Sequence, residues 1–193
     1  MYFNEQSTIY HNGKFLHPNE PNIGLYGQSL HYGNGVFEGI RSYKTKQGAK
    51  IFKAEDHYKR LQYGAQVMGI PFDFSIKELV DITYELLEKN KFQDAYIRPL
   101  ITTGSDMSLK TSLESNLTIQ CWEWGKYMGD RLLKVRTSSF ERPNPKSCFV
   151  EAKVTGHYIN SVLSTNEAKN SGYDEALLLD MYGNVAECSG ANI

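Results

Sequence analysis

The chain has 193 residues, 40% hydrophobic and 22% charged, the balance of an ordinary globular protein with room for one medium domain or two small ones. Lys and Arg number 21 against 22 Asp and Glu, a net charge of −1, so no long-range field draws the chain to nucleic acid or to an acidic membrane. No stretch approaches the roughly 18 apolar residues of a membrane helix, and the opening MYFNEQSTIYHNGKF has no apolar signal core.

The cysteines, Cys121, Cys148 and Cys188, are odd in number and far apart, fitting neither a disulfide framework nor a C-x-x-C pair. A reducing cytoplasm is the expected compartment. The histidines, His11, His17, His31, His57 and His157, show no H-x-x-x-H spacing, and no metal site is expected.

In chain order, the first signal is a hairpin, with runs 8–11 and 14–16 around Asn12-Gly13, two residues that accept positive φ. A loop rich in Pro and Asn follows over 17–22. Residues 33–41 mix glycines with apolar residues, as strands do where another backbone comes close. Lys44, Lys46 and Lys50 are dispersed and read as a solvated loop. The spacing of Tyr58, Leu61, Ala65 and Met68 predicts a helix over 54–68. Ser75 and Glu78 form a capping box for a second helix over 75–90, striped by Leu79, Ile82, Leu86 and Leu87. Strands are expected over 95–103, 117–122 and 132–138. A third helix is expected over 158–170, stopped at Gly172, and then strands over 175–180 and 184–188. The paired glycines Gly125 and Gly129 mark the best domain boundary. The class is α+β: a small N-terminal α/β domain over 1–125, a loop over 126–132 and the start of a second domain over 133–193.

Spacing alone reveals no active site. There is no G-x-G-x-x-G opening a helix, no Walker loop and no G-x-S-x-G elbow. Lys153 is by itself one lysine among many. It does follow CFVEA (148–152), a run that reads as a partly buried strand, and it precedes a glycine-containing turn into a helix. A partly desolvated lysine there is suited to act as an amine nucleophile.

Five ordered segments decide between these readings. LHYGNGVFEGIR (30–41) resembles the Y-G-x-x-V-F-E-G-I-R signature of branched-chain amino-acid aminotransferases, and AYIRPL (95–100) resembles their Y-I-R-P-L strand. WGKYMG (124–129) is similar to their interdomain W-G-x-Y-x-G. Ala152-Lys153, Tyr158, Asn166-Glu167-Ala168 and GYDE (172–175) resemble the segment that bears the cofactor lysine, and NVAECSGAN (184–192) resembles their E-x-x-x-x-N motif. The set spans nearly the whole chain in family order.

The resemblance implies a fold type IV pyridoxal 5'-phosphate enzyme, its second domain a larger pseudo-barrel whose C-terminal part is missing here. Lys153 would be catalytic, holding the cofactor as an internal aldimine and moving the proton between the substrate Cα and the cofactor. Glu187 would pair with the pyridine nitrogen, Tyr158 with the phenolic oxygen, and Arg60 with the phosphate. Tyr32, Phe37, Tyr96, Trp124 and Tyr127 would line the substrate pocket, with Arg98 for the distal carboxylate of glutamate. The implied reaction transfers the amino group of Leu, Ile or Val to 2-oxoglutarate, in a homodimer where Tyr32 serves the neighbouring subunit. A D-amino-acid transaminase or aminodeoxychorismate lyase on the same fold, or an inactive fragment that only folds and dimerises, are the alternatives. His157 departs from the pattern, standing where many relatives carry Asn.

Overall fold

The computed structural model describes residues 2–125, 129 and 131–193. These form two compact units, one of residues 1–125 together with 152–155, the other of residues 126–151 and 156–193. The linear division expected at 126–132 therefore needs a correction. Residues 152–155 return to the first unit because their backbone bonds there: Val154 bridges Val36, and the Phe37 N–H donates to the Lys153 carbonyl at 3.1 Å. The expected strand over 148–152 does not form; those residues turn, and only this short bridge is sheet-like.

The first unit opens with hairpin β1 (Ile9–His11) and β2 (Lys14–Leu16), turned by Asn12 and Gly13 at φ 46° and 87°. A short helix α1 (Gln28–Tyr32) that the sequence reading did not anticipate leads into β3 (Gly35–Phe37). Hairpin β4 (Ile40–Thr45) and β5 (Gly48–Ile51) follows. Lys44 and Lys50 lie on the strands of this hairpin rather than in a loop, Lys46 lies in its turn, and all three are exposed. Helices α2 (Ala54–Val67) and α3 (Ile76–Lys89) come next, with the Ser75 hydroxyl accepting the Glu78 N–H at 3.1 Å to cap α3. Strands β6 (Ala95–Thr103) and β7 (Ser115–Trp122) complete an antiparallel sheet ordered β2-β1-β7-β6-β4-β5, with β3 also on β6.

The two faces of this sheet differ. Along β6 every second residue, including Ala95, Ile97 and Ile101, is buried against the helices, while Tyr96, Arg98 and Leu100 alternate onto the other face. Ile97, Leu117 and Ile119 pack with Tyr58, Leu61 and Ala65 of α2 and Leu79, Leu86 and Leu87 of α3 in one core. β3 and β4 pair with β6 in a single register, Phe37 opposite Leu100 and Ile40 opposite Ile97. The ladder is interrupted only at 38–39, opposite Pro99, which has no N–H to give.

In the second unit, β8 (Val135–Thr137) is shorter than the expected 132–138 and runs parallel to β9 (Glu175–Leu179). β10 (Val185–Cys188) pairs antiparallel with β9. Helix α4 (Tyr158–Asn170) covers this sheet with its buried Ser164 and Ala168, and Gly172, just past its end, has the positive φ expected of a stop. Among the described residues no helix is long and apolar enough to cross a membrane.

Candidate active site

Strand alternation places Phe37, Tyr96 and Arg98 on the sheet face away from the helices. The Arg98 guanidinium lies 4.5 Å from the Phe37 ring centroid and donates to the Tyr96 hydroxyl through Nη2 at 2.6 Å and Nε at 3.2 Å. The Tyr96 hydroxyl reaches this position because residue 39 is glycine: a Cβ there would collide with the phenol oxygen. The VFEGIR run thus supplies an aromatic wall at Phe37 and, two residues on, the space for its polar neighbour. Tyr96 also packs tilted against Trp122 and edge-to-face against Trp124, with ring centroids 4.9 and 5.1 Å away. Arg98, Gln120, Trp122 and Trp124 line a cavity of about 420 Å³ together with Tyr2 and Phe3. Trp122 and Tyr2 were not singled out in the sequence. Trp122 was visible only as the end of a strand, and Tyr2 carries no motif.

Lys153 joins this wall. Its ammonium nitrogen lies 5.2 Å from the Phe37 ring centroid, and its backbone is tied to the same residue by the bond from the Phe37 N–H. Phe37 is 6% exposed, so the amine is held beside a dry aromatic surface. Tyr32 stands apart, 44% exposed at the end of α1, its hydroxyl donating to the Met107 carbonyl at 3.0 Å. Tyr127 lies outside the described residues.

On the helix face, one residue beyond Phe37, Glu38 is completely buried. Its carboxylate accepts Arg60 Nε at 2.5 Å and Nη2 at 2.7 Å, and the ring nitrogen Nδ1 of His57 lies 2.8 Å from it. Arg60 and His57 also border a cleft of about 260 Å³ with Lys53 and Asp56. The strand alternation sends Arg98 to the opposite face, and Arg41 donates to the Gly125 carbonyl at 3.4 Å. Burial alone raises the Glu38 pKa, but the bonds and positive charge of Arg60 and His57 outweigh it, leaving the pKa below its ordinary 4.5. A carboxyl held lower when folded stabilises the fold above its unfolded pKa, and that contribution is lost as pH falls through the folded one. Urea denaturation midpoints should therefore drop as pH is lowered below 4.5, and drop less steeply in Glu38→Gln. Equal slopes in the two proteins would refute this assignment.

The remaining candidates belong to the second unit. Glu187 sits on β10, past an irregularity in the register at 185–187, and its Oε1 accepts Arg142 Nε at 2.7 Å. Arg142 is itself fixed: its N–H bonds the Leu179 carbonyl at 2.8 Å, and Asn160 of α4 donates to the adjacent Glu141 carbonyl at 2.8 Å. Tyr158 is the first residue of α4, half-buried. The chemical kinds that pyridoxal phosphate calls for are present, an amine at Lys153 and a guanidinium at Arg60 in the first unit, a phenol at Tyr158 and an arginine-paired carboxylate at Glu187 in the second.

The comparisons with known proteins bear on the family. The family model for amino-transferase class IV matches residues 35–193. A branched-chain-amino-acid aminotransferase of Pseudomonas aeruginosa is 41% identical over 96% of this chain, which spans 62% of that relative's length. The crystal structure of the Escherichia coli branched-chain amino acid aminotransferase matches with a TM-score of 0.92 at 32% identity, over 96% of this chain and 64% of that one. The T.th. branched-chain amino acid aminotransferase, in a complex with N-(5'-phosphopyridoxyl)-L-glutamate, matches with a TM-score of 0.89 at 36% identity, over 96% of this chain and 62% of that one. A matching family model over most of the chain, together with that likeness to fold type IV structures, places it: the chain belongs to the class IV aminotransferases, a family of pyridoxal-phosphate enzymes.

Proposed function

We propose that this chain carries the chemistry of a branched-chain amino-acid aminotransferase, moving the amino group of Leu, Ile or Val to 2-oxoglutarate in two half-reactions. The observation that carries this reading is the wall at Phe37, where an apolar ring is flanked by one amine, Lys153, and one guanidinium, Arg98. One pocket must accept both an aliphatic side chain and the carboxylated side chain of glutamate. An aromatic surface from Phe37, Tyr96 and Trp124 suits the first, and an arginine at its edge suits the second.

Pyridoxal phosphate supplies, when bound, a carbonyl that takes up the amino group and a ring that accepts the electrons released from the substrate Cα. Lys153 would hold the cofactor through Nζ and would move the proton from and to the substrate Cα, since a neutral amine is both nucleophilic and basic. Arg60 binds the phosphate, its planar fork matching two oxygens. Tyr158 donates to the phenolic oxygen. Glu187 keeps the pyridine nitrogen protonated. The protein acts as a homodimer, with Tyr32 serving the partner's pocket.

The test is an absorption spectrum of the purified chain with pyridoxal phosphate, taken before and after adding L-leucine. A visible band from the lysine-bound cofactor that fades with L-leucine is expected. A band that fades only with a D-amino acid, or with no amino acid at all, overturns the substrate reading. Absence of a band overturns the assignment of cofactor chemistry to these 193 residues.

A further inference from the structure

Glu38 is a full negative charge taken out of water, and nothing in the reaction just described uses it. A buried carboxylate is costly unless opposite charge and N–H donors surround it. Here Arg60 Nε and Nη2 and the ring of His57 supply them from one face of α2, three residues apart. The anchor beneath them is rigid. The Glu38 N–H donates to the Pro99 carbonyl at 2.9 Å, and the preceding residue is locked into the β6 ladder opposite Leu100.

A guanidinium on an exposed helix swings through many rotamers, because its long stem is free to turn. One gripped along its Nε–Nη2 edge by two parallel bonds cannot, since the fork fixes the plane as well as the position. The Arg60 side chain is still 49% exposed, and it borders the cleft shared with Lys53, Asp56 and His57. We propose that Glu38 is a positioning residue that sets the plane of Arg60 for the cofactor's phosphate, with His57 completing the charge balance of the buried carboxylate. This rests on the reading of Arg60 as a phosphate ligand.

The two effects of Glu38 on an anion have opposite signs, which makes the proposal decidable. As a charge, a carboxylate next to the phosphate ligand repels phosphate, so neutralising it should tighten binding. As an anchor, its loss frees the guanidinium and should weaken binding; removing the partner that orients a ligand commonly costs about 10–100-fold.

Dissociation constants for pyridoxal 5'-phosphate and for pyridoxal, which lacks the phosphate, are measured on the full chain as wild type, Glu38→Gln, Arg60→Ala and the double variant. Glu38→Gln should weaken pyridoxal 5'-phosphate about tenfold or more, leave pyridoxal unchanged, and add nothing in the Arg60→Ala background. Unchanged or tighter binding of pyridoxal 5'-phosphate by Glu38→Gln overturns the proposal while leaving Arg60 as the phosphate ligand. An unaltered preference for the phosphorylated form in Arg60→Ala overturns both. Should circular dichroism show Glu38→Gln unfolded, Arg60→Lys decides: it keeps the charge but cannot make the fork, so a wild-type preference for pyridoxal 5'-phosphate overturns the proposal and a tenfold loss supports it.

Discussion

Lys153→Ala is expected to lower transamination about 10⁴-fold or more, the scale seen when a covalent nucleophile is removed, and to abolish the visible band of lysine-bound cofactor. Both effects follow from one nitrogen. The Lys153 amine lies 5.2 Å from the Phe37 ring centroid, and its backbone carbonyl accepts the Phe37 N–H. Alanine keeps that backbone bond and removes only the amine, so the thermal midpoint should barely change. Steady-state kinetics with L-leucine and 2-oxoglutarate, alongside the absorption spectrum, make the measurement. Wild-type turnover in the variant would overturn the assignment of Lys153.

Glu187→Gln is expected to lower turnover about 10²-fold or more while the visible band persists. Loss of one preorganised electrostatic partner of developing charge typically has that size. Arg142 Nε lies 2.7 Å from Glu187 Oε1 and is itself held by the Leu179 carbonyl. Glutamine keeps the shape and loses the charge, so in the proposed role it could no longer hold a proton on the pyridine nitrogen. A side effect is expected in stability, since the half-buried Arg142 then faces a neutral amide. Kinetics and a thermal melt separate the two. A variant that loses cofactor binding, yet turns over normally when the cofactor is saturating, would rule out the electron-sink role.

Local chemistry was legible where it acts within a few residues. Asn12-Gly13 announces its hairpin because few other pairs accept positive φ at both positions. Ser75 announces α3 because its hydroxyl reaches an N–H three residues on. The stripe Leu79, Leu86 and Leu87 is buried as its spacing requires, with Ile82 at its margin. The hairpin of β4 and β5 left no such trace: its turn lacks a paired-residue signal, and its exposed lysines read equally well as a loop. The run before Lys153 has the composition of a strand but no partner long enough to make it one, since β3 has only three residues and its free edge makes a single bridge, Val36 to Val154.

The candidate site was legible mainly through resemblance. Spacing could not say that Phe37, Tyr96, Arg98 and Lys153 converge, because they come from three separate segments. Nor could it pair Glu38 with Arg60 rather than with Arg98. That choice depends on which side of the sheet each residue faces, and it becomes readable only when the register of β3, β4 and β6 is known.

That register has a consequence for which inherited changes the protein can absorb. Along β6, Ile97 faces the helices and Arg98 faces the aromatic wall, and β3 and β4 are keyed to the same alternation. Replacing one residue of β6 injures one side at a time and leaves a graded defect. Deleting one codon there turns every following side chain over, delivering Arg98 into the hydrocarbon interior and Ile97 into the pocket at once. For this strand, a change of length should therefore cost more than a change of any single residue.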